Sequence, residues 1–391
     1  MFFITERLSR FWRNQMKPVW EKPKKERKLL SWRMSLPGLQ AHAMGKNHLV
    51  IFRVDDIGDY MLFRDALRLV VFSPKWSGHR ITVIGNAIWQ PLAAHLDKDL
   101  SLNWIWLKKS AWFSDVHFRI QFLQQLHGLQ ASLVWVPNRT RHALLEETLL
   151  LAFKGIPTIV SGDFPNEEKA LIRKYFDHQL PELVFPDPEP VHEWSYNLES
   201  AAIFSGMPLV SEPDLPGWNP MISGESYLVF FPGASAGSKR WPAKSFALLG
   251  KALWEAWKIP VWLAGSVQDK ALTEEIKEKA GHPDWMVDKS GRTTLPELLD
   301  LVRKSRLLVS NDTSAAHLGA LAGVPLIALC NGNKKGRFFP YPESFKRVRA
   351  LYPPGNLQDP ASDRLSLKNL RVETVFSACL ELGSETENQI G

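Results

Sequence analysis

The chain of 391 residues has two cysteines, Cys330 and Cys379, too few for a disulfide framework or a thiolate zinc site, which fits a reducing compartment. It lacks any uninterrupted apolar run near the roughly 20 residues that a membrane-spanning helix requires. Met1 to Ile4 is too short for the core of a signal peptide, so a cytoplasmic location is expected. No Gly-x-Gly-x-x-Gly follows a strand, which argues against an oxidoreductase built on one dinucleotide-binding half. The nucleoside-triphosphate loop is missing too: Lys239 is followed by Arg240 instead of Ser or Thr, and the glycine spacing before it differs. Short-period repeats are absent, and so is low-complexity sequence outside the amino terminus.

What is present is the composition of a globular protein, 45% hydrophobic and 23% charged, long enough for two domains of roughly 150 to 200 residues each. The net charge of +7 is unevenly placed. Residues 1–50 hold eleven Lys and Arg against three Glu, a surplus larger than that of the whole chain, so the remainder is close to neutral. A basic arm on a neutral body points to an acidic surface beside the arm and against a nucleic-acid partner. Ile4, Leu8, Phe11, Trp12 and Met16 recur at helical spacing, while Arg7, Arg10, Arg13 and Lys17 can occupy the other side. Residues 1–33 therefore suit a helix on an anionic bilayer; a helix on the protein's own surface and a tail without structure are the alternatives.

After a Pro-, Gly- and Ser-containing stretch over 34–47, the spacing predicts a strand over 48–54, a turn over 55–59 and a helix over 60–72. Further strands at 80–85, 102–107 and 132–136 alternate with helices at 87–96, 115–129 and 141–153. A proline-rich junction over 180–223 is interrupted by one helix at 192–204. A second series follows: strands at 227–231, 260–264, 306–310 and 325–329 with helices at 243–257, 270–280, 295–304 and 315–322. Such alternation predicts two parallel sheets with helices on both faces.

Three polar clusters fall at the carboxyl ends of these strands, where open parallel sheets bind ligands. In the first, Asp55, Asp56, Gly58 and Asp59, the glycine allows a close approach. A carboxylate such as Asp59 at a helix amino terminus suits a general base taking a proton from a hydroxyl, or simply caps the helix. The second, Phe231 to Pro242, combines small residues including Ser235 with Lys239 and Arg240 just before a helix. It reads as a phosphate-binding loop or as a solvated basic loop. In the third, Ser310 to His317, Asp312 or Thr313 can cap a helix whose exposed amides face an anion. His317, one turn in, is a site residue or a hydrogen-bonded core histidine. Ala264-Gly265-Ser266 is a weaker signal of the same kind. Most of the 16 tryptophans fall in apolar strand runs and read as core, leaving Trp241 as the one candidate for stacking on a ligand.

In this order the segments resemble glycosyltransferase family 9, the heptosyltransferases. The likeness rests on 48–59, on Pro232-Gly233 followed by Lys239-Arg240-Trp241-Pro242, and on Asn311-Asp312-Thr313-Ser314-Ala315-Ala316-His317-Leu318, with Gly291, Thr294 to Leu298 and Ala322 to Pro325 also matching. It runs from about residue 48 to the carboxyl terminus and is thinner between 86 and 223. The resemblance implies an α/β, GT-B-like fold of two Rossmann-like, doubly wound domains facing across a cleft, with no cofactor and no metal. With the basic arm over 1–47 and a linker placed in the proline-rich junction over 206–223, the resemblance implies an acceptor domain over 48–205 and a nucleotide-sugar domain over 224–391. It further implies an inverting transfer from a nucleotide-diphosphate sugar, ADP-heptose being the family's donor, to a hydroxyl of a lipopolysaccharide or other glycan or glycolipid. Asp59 would be the base, with Asp56 and Gly58 on the acceptor side. Lys239, Arg240 and Ser235 would meet the phosphates. Asp312, Thr313 and Ser314 would line the diphosphate and sugar site, supported by His317, with Gly265 and Asp269 near the ribose. Two departures limit the substrate: Thr313-Ser314 replaces the usual Ser-Gly, and 331–338 stands where a Phe-Gly-Pro-Thr type loop is common. A non-catalytic nucleotide-sugar or glycan sensor with the same fold is the alternative, separated from the enzyme by turnover.

Overall fold

The computed structural model describes residues 44–140, 142, 145, 148–162, 182–183, 191–208, 227–355 and 366–387. The basic arm, much of the proline-rich junction and part of the helix expected over 141–153 lie outside the described residues. In chain order the first series is β1 (His48–Arg53), α1 (Ile57–Phe72), β2 (Arg80–Asn86), α2 (Gln90–Leu96), β3 (Asn103–Leu107), α3 (Lys109–Ser114), α4 (Val116–His127), β4 (Leu133–Val136), β5 (Thr158–Val160), β6 (Glu182–Leu183) and α5 (Glu193–Ser205). The second is β7 (Leu228–Phe231), α6 (Ala243–Trp257), β8 (Val261–Leu263), α7 (Lys270–Ala280), β9 (Met286–Asp288), α8 (Leu295–Arg303), β10 (Leu307–Asn311), α9 (Ser314–Leu321), β11 (Leu326–Leu329), β12 (Val348–Leu351) and α10 (Val372–Glu387). Helix α1 starts at Ile57, a turn earlier than the apolar pattern suggests, which places Asp59 inside its first turn. The short strands β5, β6, β9 and β12 and the helices α3 and α10 add to the elements read from the sequence.

The two sheets have the same topology. The first runs β3-β2-β1-β4-β5-β6 and the second β12-β11-β10-β7-β8-β9. Numbering the strands of the second sheet from β7 turns it into the same 3-2-1-4-5-6 order, that of dinucleotide-binding sheets. The pairs β1–β4, β4–β5 and β5–β6 are parallel, as are all five pairs of the second sheet. Strands buried on both faces must be largely apolar, and every residue of β1 and β10 is buried, with the apolar runs Leu49–Phe52 and Leu307–Val309 followed by polar residues at the carboxyl ends.

Contacts divide the chain into two compact units. The first takes in 1–53, 78–84 and 102–185, and the second 54–77, 85–101 and 186–391. In the first, Phe52 meets Phe153 edge-on with ring centroids 5.6 Å apart, and the fully buried Trp135 donates its indole N–H to Ser161. Asp115 caps α4 by accepting from the amides of His117 and Phe118.

In the second unit one face of the sheet is filled by Trp241, Phe246, Leu249 and Leu253 around α6, with Val375, Cys379 and Leu382 of α10. The Trp241 ring is fully buried, edge-on to Phe246, and its indole donates to the Leu370 carbonyl. It fills the core and offers no face to a sugar. Helix α8 begins with a reciprocal capping box between Thr294 and Glu297. At the end of β10 the buried Asn311 side chain accepts from the Trp241 amide at 3.1 Å and donates to the Pro232 carbonyl at 2.7 Å. It fixes the loop after β7 to the end of β10.

The second unit also contains α1, α2 and α5. Arg64 of α1 donates to Asp97 after α2 at 2.7 Å, and Tyr60 donates to the same carboxylate. Asn197 of α5 donates to the Leu62 carbonyl. The Trp194 indole donates at 2.7 Å to the buried Asp65 of α1. Burial is the main influence on Asp65 and pushes its carboxyl up to about 6 from 3.8. The Trp194 hydrogen bond and the Arg64 and Arg68 charges pull it down, while Asp97 pushes it further up. Ionising it in the fold therefore costs about 3 kcal/mol, at about 1.36 kcal/mol per pKa unit.

Two predictions follow from these buried polar groups. Because the Asp65 pKa is higher in the folded than in the unfolded chain, its contribution is favourable at acid pH and is lost as the pH rises from about 4 through about 6. Asp65→Asn, which keeps an acceptor for Trp194, should raise the urea midpoint at pH 8 and lose that advantage towards pH 4.5. An equal shift at both values would show that ionisation of Asp65 is not the cause. Asn311→Ala strands a buried amide and a buried carbonyl and should lower unfolding stability by about 2–4 kcal/mol. A loss below about 0.5 kcal/mol in chemical denaturation would mean that this side chain does not brace the loop.

Candidate functional site

All three polar clusters line one open pocket of the second unit, about 560 Å³ in volume, within the range of small-ligand sites. Its walls come from the start of α1, the loop after β7, the turn after β8, the start of α9 and the loop after β11. Four of these five segments lie at the carboxyl ends of strands in one sheet, around the point between β7 and β10 where the strand order reverses.

The start of α1 supplies Asp56, Gly58 and Asp59. Asp56 is the N-cap residue, with extended backbone and no side-chain bond to the helix amides. The preceding turn is held by the Asp55 carbonyl, which accepts from the Asn86 side chain at 2.9 Å and from the Trp89 indole. Gly58 presses on the His317 ring: a Cβ there would fall 2.9 Å from His317 Cδ2 and 3.6 Å from Ser314 Cα. Only a residue without a side chain lets the two helix starts come this close.

The loop after β7 supplies Ser235, Lys239 and Arg240. The Arg240 guanidinium folds back on its own loop, donating twice to the Ala234 carbonyl at 3.0 and 2.8 Å, so part of its donor capacity shapes the backbone. Lys239 Nζ lies 3.4 Å from Asp312 Oδ2, both groups mostly shielded from solvent. Thr313 occupies the N-cap of α9 but makes no capping bond to its amides. Its hydroxyl lies instead 3.3 Å from that of Ser310. Ser314, the first residue of α9, also faces the pocket.

His317 is buried one turn into α9. Its Nδ1 is hydrogen-bonded to the Tyr341 hydroxyl at 2.7 Å, and its ring stacks on Phe339 at 5.3 Å. Burial first, then Lys239 and Lys334, hold the imidazole below its ordinary range, while Asp312 and Asp59 oppose them. The ring is therefore neutral near pH 7, both a core histidine and part of the pocket wall.

Asp269 lines the pocket through a carboxylate already engaged in the turn after β8, where Oδ2 accepts from the Ser266 amide and hydroxyl at 2.8 and 2.7 Å. Gly265 is the one expected site residue that does not face the pocket. It lies beneath Asp269, where a Cβ would come within 2.9 Å of Asp269 Cβ, and a Cβ on Gly233 would reach 2.6 Å from Asp269 Oδ1. The sequence marks 331–338 as a departure from the family loop that borders the sugar but assigns no role to Lys334 or Phe338 within it, and it does not single out Ile88 and Gln268. The signal for the first was available as a Lys-Lys pair just beyond a strand end. Among the described residues no three His, Cys, Asp or Glu side chains gather into a metal-binding group, and no helix is long and apolar enough to cross a membrane.

Residues 185–359 match the model of glycosyltransferase family 9 (heptosyltransferase). Among curated relatives, lipooligosaccharide heptosyltransferase 2 of Haemophilus influenzae is 36% identical over 103 residues, covering 26% of this chain and 30% of that protein. Lipopolysaccharide heptosyltransferase 2 of Escherichia coli is 26% identical over 205 residues, covering 50% of this chain and 53% of the relative. The matched stretch thus spans between about a third and a half of the length of these relatives. Among solved structures, E. coli ADP-heptose lipopolysaccharide heptosyltransferase II has a TM-score of 0.61 at 20% identity, covering 87% of this chain and 99% of the other. E. coli heptosyltransferase WaaC with ADP has a TM-score of 0.64 at 16% identity, covering 86% and 99%, so the α/β fold is shared over nearly the whole of both. Family match, aligned relatives and fold lead to one assignment: residues 185–359 of this chain belong with glycosyltransferase family 9 (heptosyltransferase), and the chain as a whole shares the fold of solved heptosyltransferases.

Proposed function

We propose that the chain is an inverting, metal-independent glycosyltransferase that moves a sugar from a nucleotide-diphosphate donor to a hydroxyl of a lipopolysaccharide or other glycan acceptor. The observation that carries this reading is the convergence of Asp59, Lys239, Asp312 and the start of α9 on one pocket. ADP-heptose is the favoured donor, since WaaC has been solved with ADP and with ADP-2-deoxy-2-fluoro heptose and the family match covers the donor-side segments of this chain.

In the proposed reaction the acceptor oxygen attacks the anomeric carbon as the bond from that carbon to the diphosphate oxygen breaks, and the configuration inverts. The acceptor proton passes to Asp59. Positive charge develops on the sugar and negative charge on the departing diphosphate. Lys239, Arg240 and the uncapped amides of α9 act on the latter, which is the task a divalent ion performs elsewhere. Asp312, Thr313 and Ser314 border the diphosphate and sugar, and Asp269 the ribose, while Asp56 and Gly58 face the acceptor. Neutral His317 supports α9 and Gly58 and takes no proton.

The acceptor is proposed to be a glycolipid on the inner face of the cytoplasmic membrane, which the basic residues 1–33 would approach through anionic headgroups. The arm lies outside the described residues, so this rests on its charge and spacing alone.

Asp59→Ala should lower transfer of radiolabelled sugar by about a hundred- to ten-thousandfold while leaving donor affinity nearly unchanged. Substantial residual turnover would remove Asp59 from the role of base, and donor binding without turnover by the unaltered protein would favour a sensor. Deletion of residues 1–33 should reduce co-sedimentation with anionic liposomes; unchanged sedimentation would count against membrane contact through the arm.

A further inference from the structure

The loop after β11 carries three cations, Lys334, Lys335 and Arg337, and the fold directs them differently. Arg337 pairs at 2.9 Å with Glu193, whose side chain is almost completely buried, and the backbone joins in as the Glu193 amide donates to the Arg337 carbonyl. Its charge is consumed there. The Lys335 ammonium lies over the Tyr352 ring at 5.4 Å and does not line the pocket. Lys334 does: its ammonium sits 4.9 Å from the centre of the Phe338 ring, itself a pocket wall. Among the described residues no ion pair ties Lys334 down, in contrast to Lys239 and its partner Asp312.

The position of Lys334 is built into the loop. Gly332 and Gly336 both have φ of 84°, which makes the turn around it cheap for glycine and strained for other residues. The Lys334 carbonyl accepts from the amides of Arg337 and Phe338 at 3.1 and 3.3 Å, and the Gly336 amide donates to the Phe339 carbonyl at 2.7 Å. At the root of the loop the buried Asn331 side chain donates to the Ser238 carbonyl at 3.4 Å. Ser238 is the neighbour of Lys239, so the loops bearing the two lysines are tied together. Burial, then Arg337 and Lys239, lower the Lys334 pKa, while Asp59 and Asp312 raise it. The ammonium is thus electrostatically coupled to both ends of the proposed reaction centre.

We infer that Lys334 is a third cation for the departing diphosphate, brought to the pocket by a different loop from the one that carries Lys239 and Arg240. This inference rests on the proposed nucleotide-diphosphate donor. Lys239 shares its charge with Asp312, and Arg240 spends two N–H groups on Ala234. The charge of a diphosphate therefore exceeds what those two residues offer. A lysine held by loop geometry and not by a carboxylate can turn to the anion without breaking an ion pair. An anion beside it also relieves the repulsion from Lys239.

Calorimetric titration of the full chain with ADP, AMP and adenosine tests this. Lys334→Met should weaken ADP binding about 10- to 100-fold, the loss expected for one charge-assisted hydrogen bond, while adenosine binding stays unchanged and AMP binding falls less than that of ADP. Lys334→Arg should restore most of the affinity, and Lys335→Met should bind ADP like the unaltered protein. Unaltered ADP affinity in Lys334→Met, alongside a clear loss in Lys239→Met, would overturn the role of Lys334 and leave the proposed donor intact. Equal weakening of ADP and adenosine would also overturn it, since the residue would then only hold the loop. If the unaltered protein bound none of ADP, UDP, GDP and CDP, the proposed function would fail first and this inference with it.

Discussion

The pocket depends on the contact between Gly58 and the His317 ring. One missing side chain lets the first turn of α1 rest against the first turn of α9, and any Cβ at that position would come 2.9 Å from the imidazole. The ring that receives this contact cannot swing away, because Tyr341 holds its Nδ1 and Phe339 lies against its face. Both aromatics belong to the segment after β11, which also carries Lys334. A single neutral imidazole therefore sets the spacing of three segments that bring charged groups to one place, and its neutrality is a consequence of burial. Protonating it would put a cation in the core beneath the pocket, at a desolvation cost that the fold avoids.

The rest of the scaffold explains why the segments meet at that point. Between β7 and β10 the chain leaves the sheet in opposite directions, and the crevice so formed is where parallel sheets bind ligands. Such a crevice has a defined shape only if the loops above it are held. Asn311 does this with both ends of its amide, from a fully buried position at the last residue of β10. Asp269 does the same on the neighbouring turn through Ser266. Both polar side chains serve to hold loop backbone in place.

Much of the fold and most of the pocket were legible in the sequence because the chemistry-bearing residues cluster just past apolar strand runs, and a parallel sheet gathers all such positions at one edge. The helices at 243–257 and 270–280 were readable to the residue from their apolar period. The strands β9 and β12 were not. Each is an edge strand, β12 is half-buried throughout, and Arg349 interrupts its apolar run. Side-chain direction was the other gap. The sequence cannot rank Lys334, Lys335 and Arg337, because what separates them is a carboxylate at Glu193, far away in the chain, and an aromatic ring at Tyr352. Likewise the pattern around Trp241 does not reveal that its ring turns into the core. Gly265 sits at a strand end like the others, yet its neighbour in space is the Asp269 side chain and not the pocket.

The pocket is not a simple trap for anions. Its lining holds four carboxylates, Asp56, Asp59, Asp269 and Asp312, against three cations, Lys239, Arg240 and Lys334. A site with that balance gains little from long-range attraction, and the proposed diphosphate would have to be bound through local, directed contacts. The same balance suits a displacement in which charge separates. In the proposed reaction, as the bond between sugar and diphosphate lengthens, the sugar would become positive and be favoured by carboxylates, while the leaving group would become more negative and be favoured by the lysines and the α9 amides. Groups of both signs, already fixed by Gly58, Asn311 and the loop glycines before any bond breaks, need no reorganisation at that moment, and this is the condition under which electrostatic stabilisation of a transition state is largest.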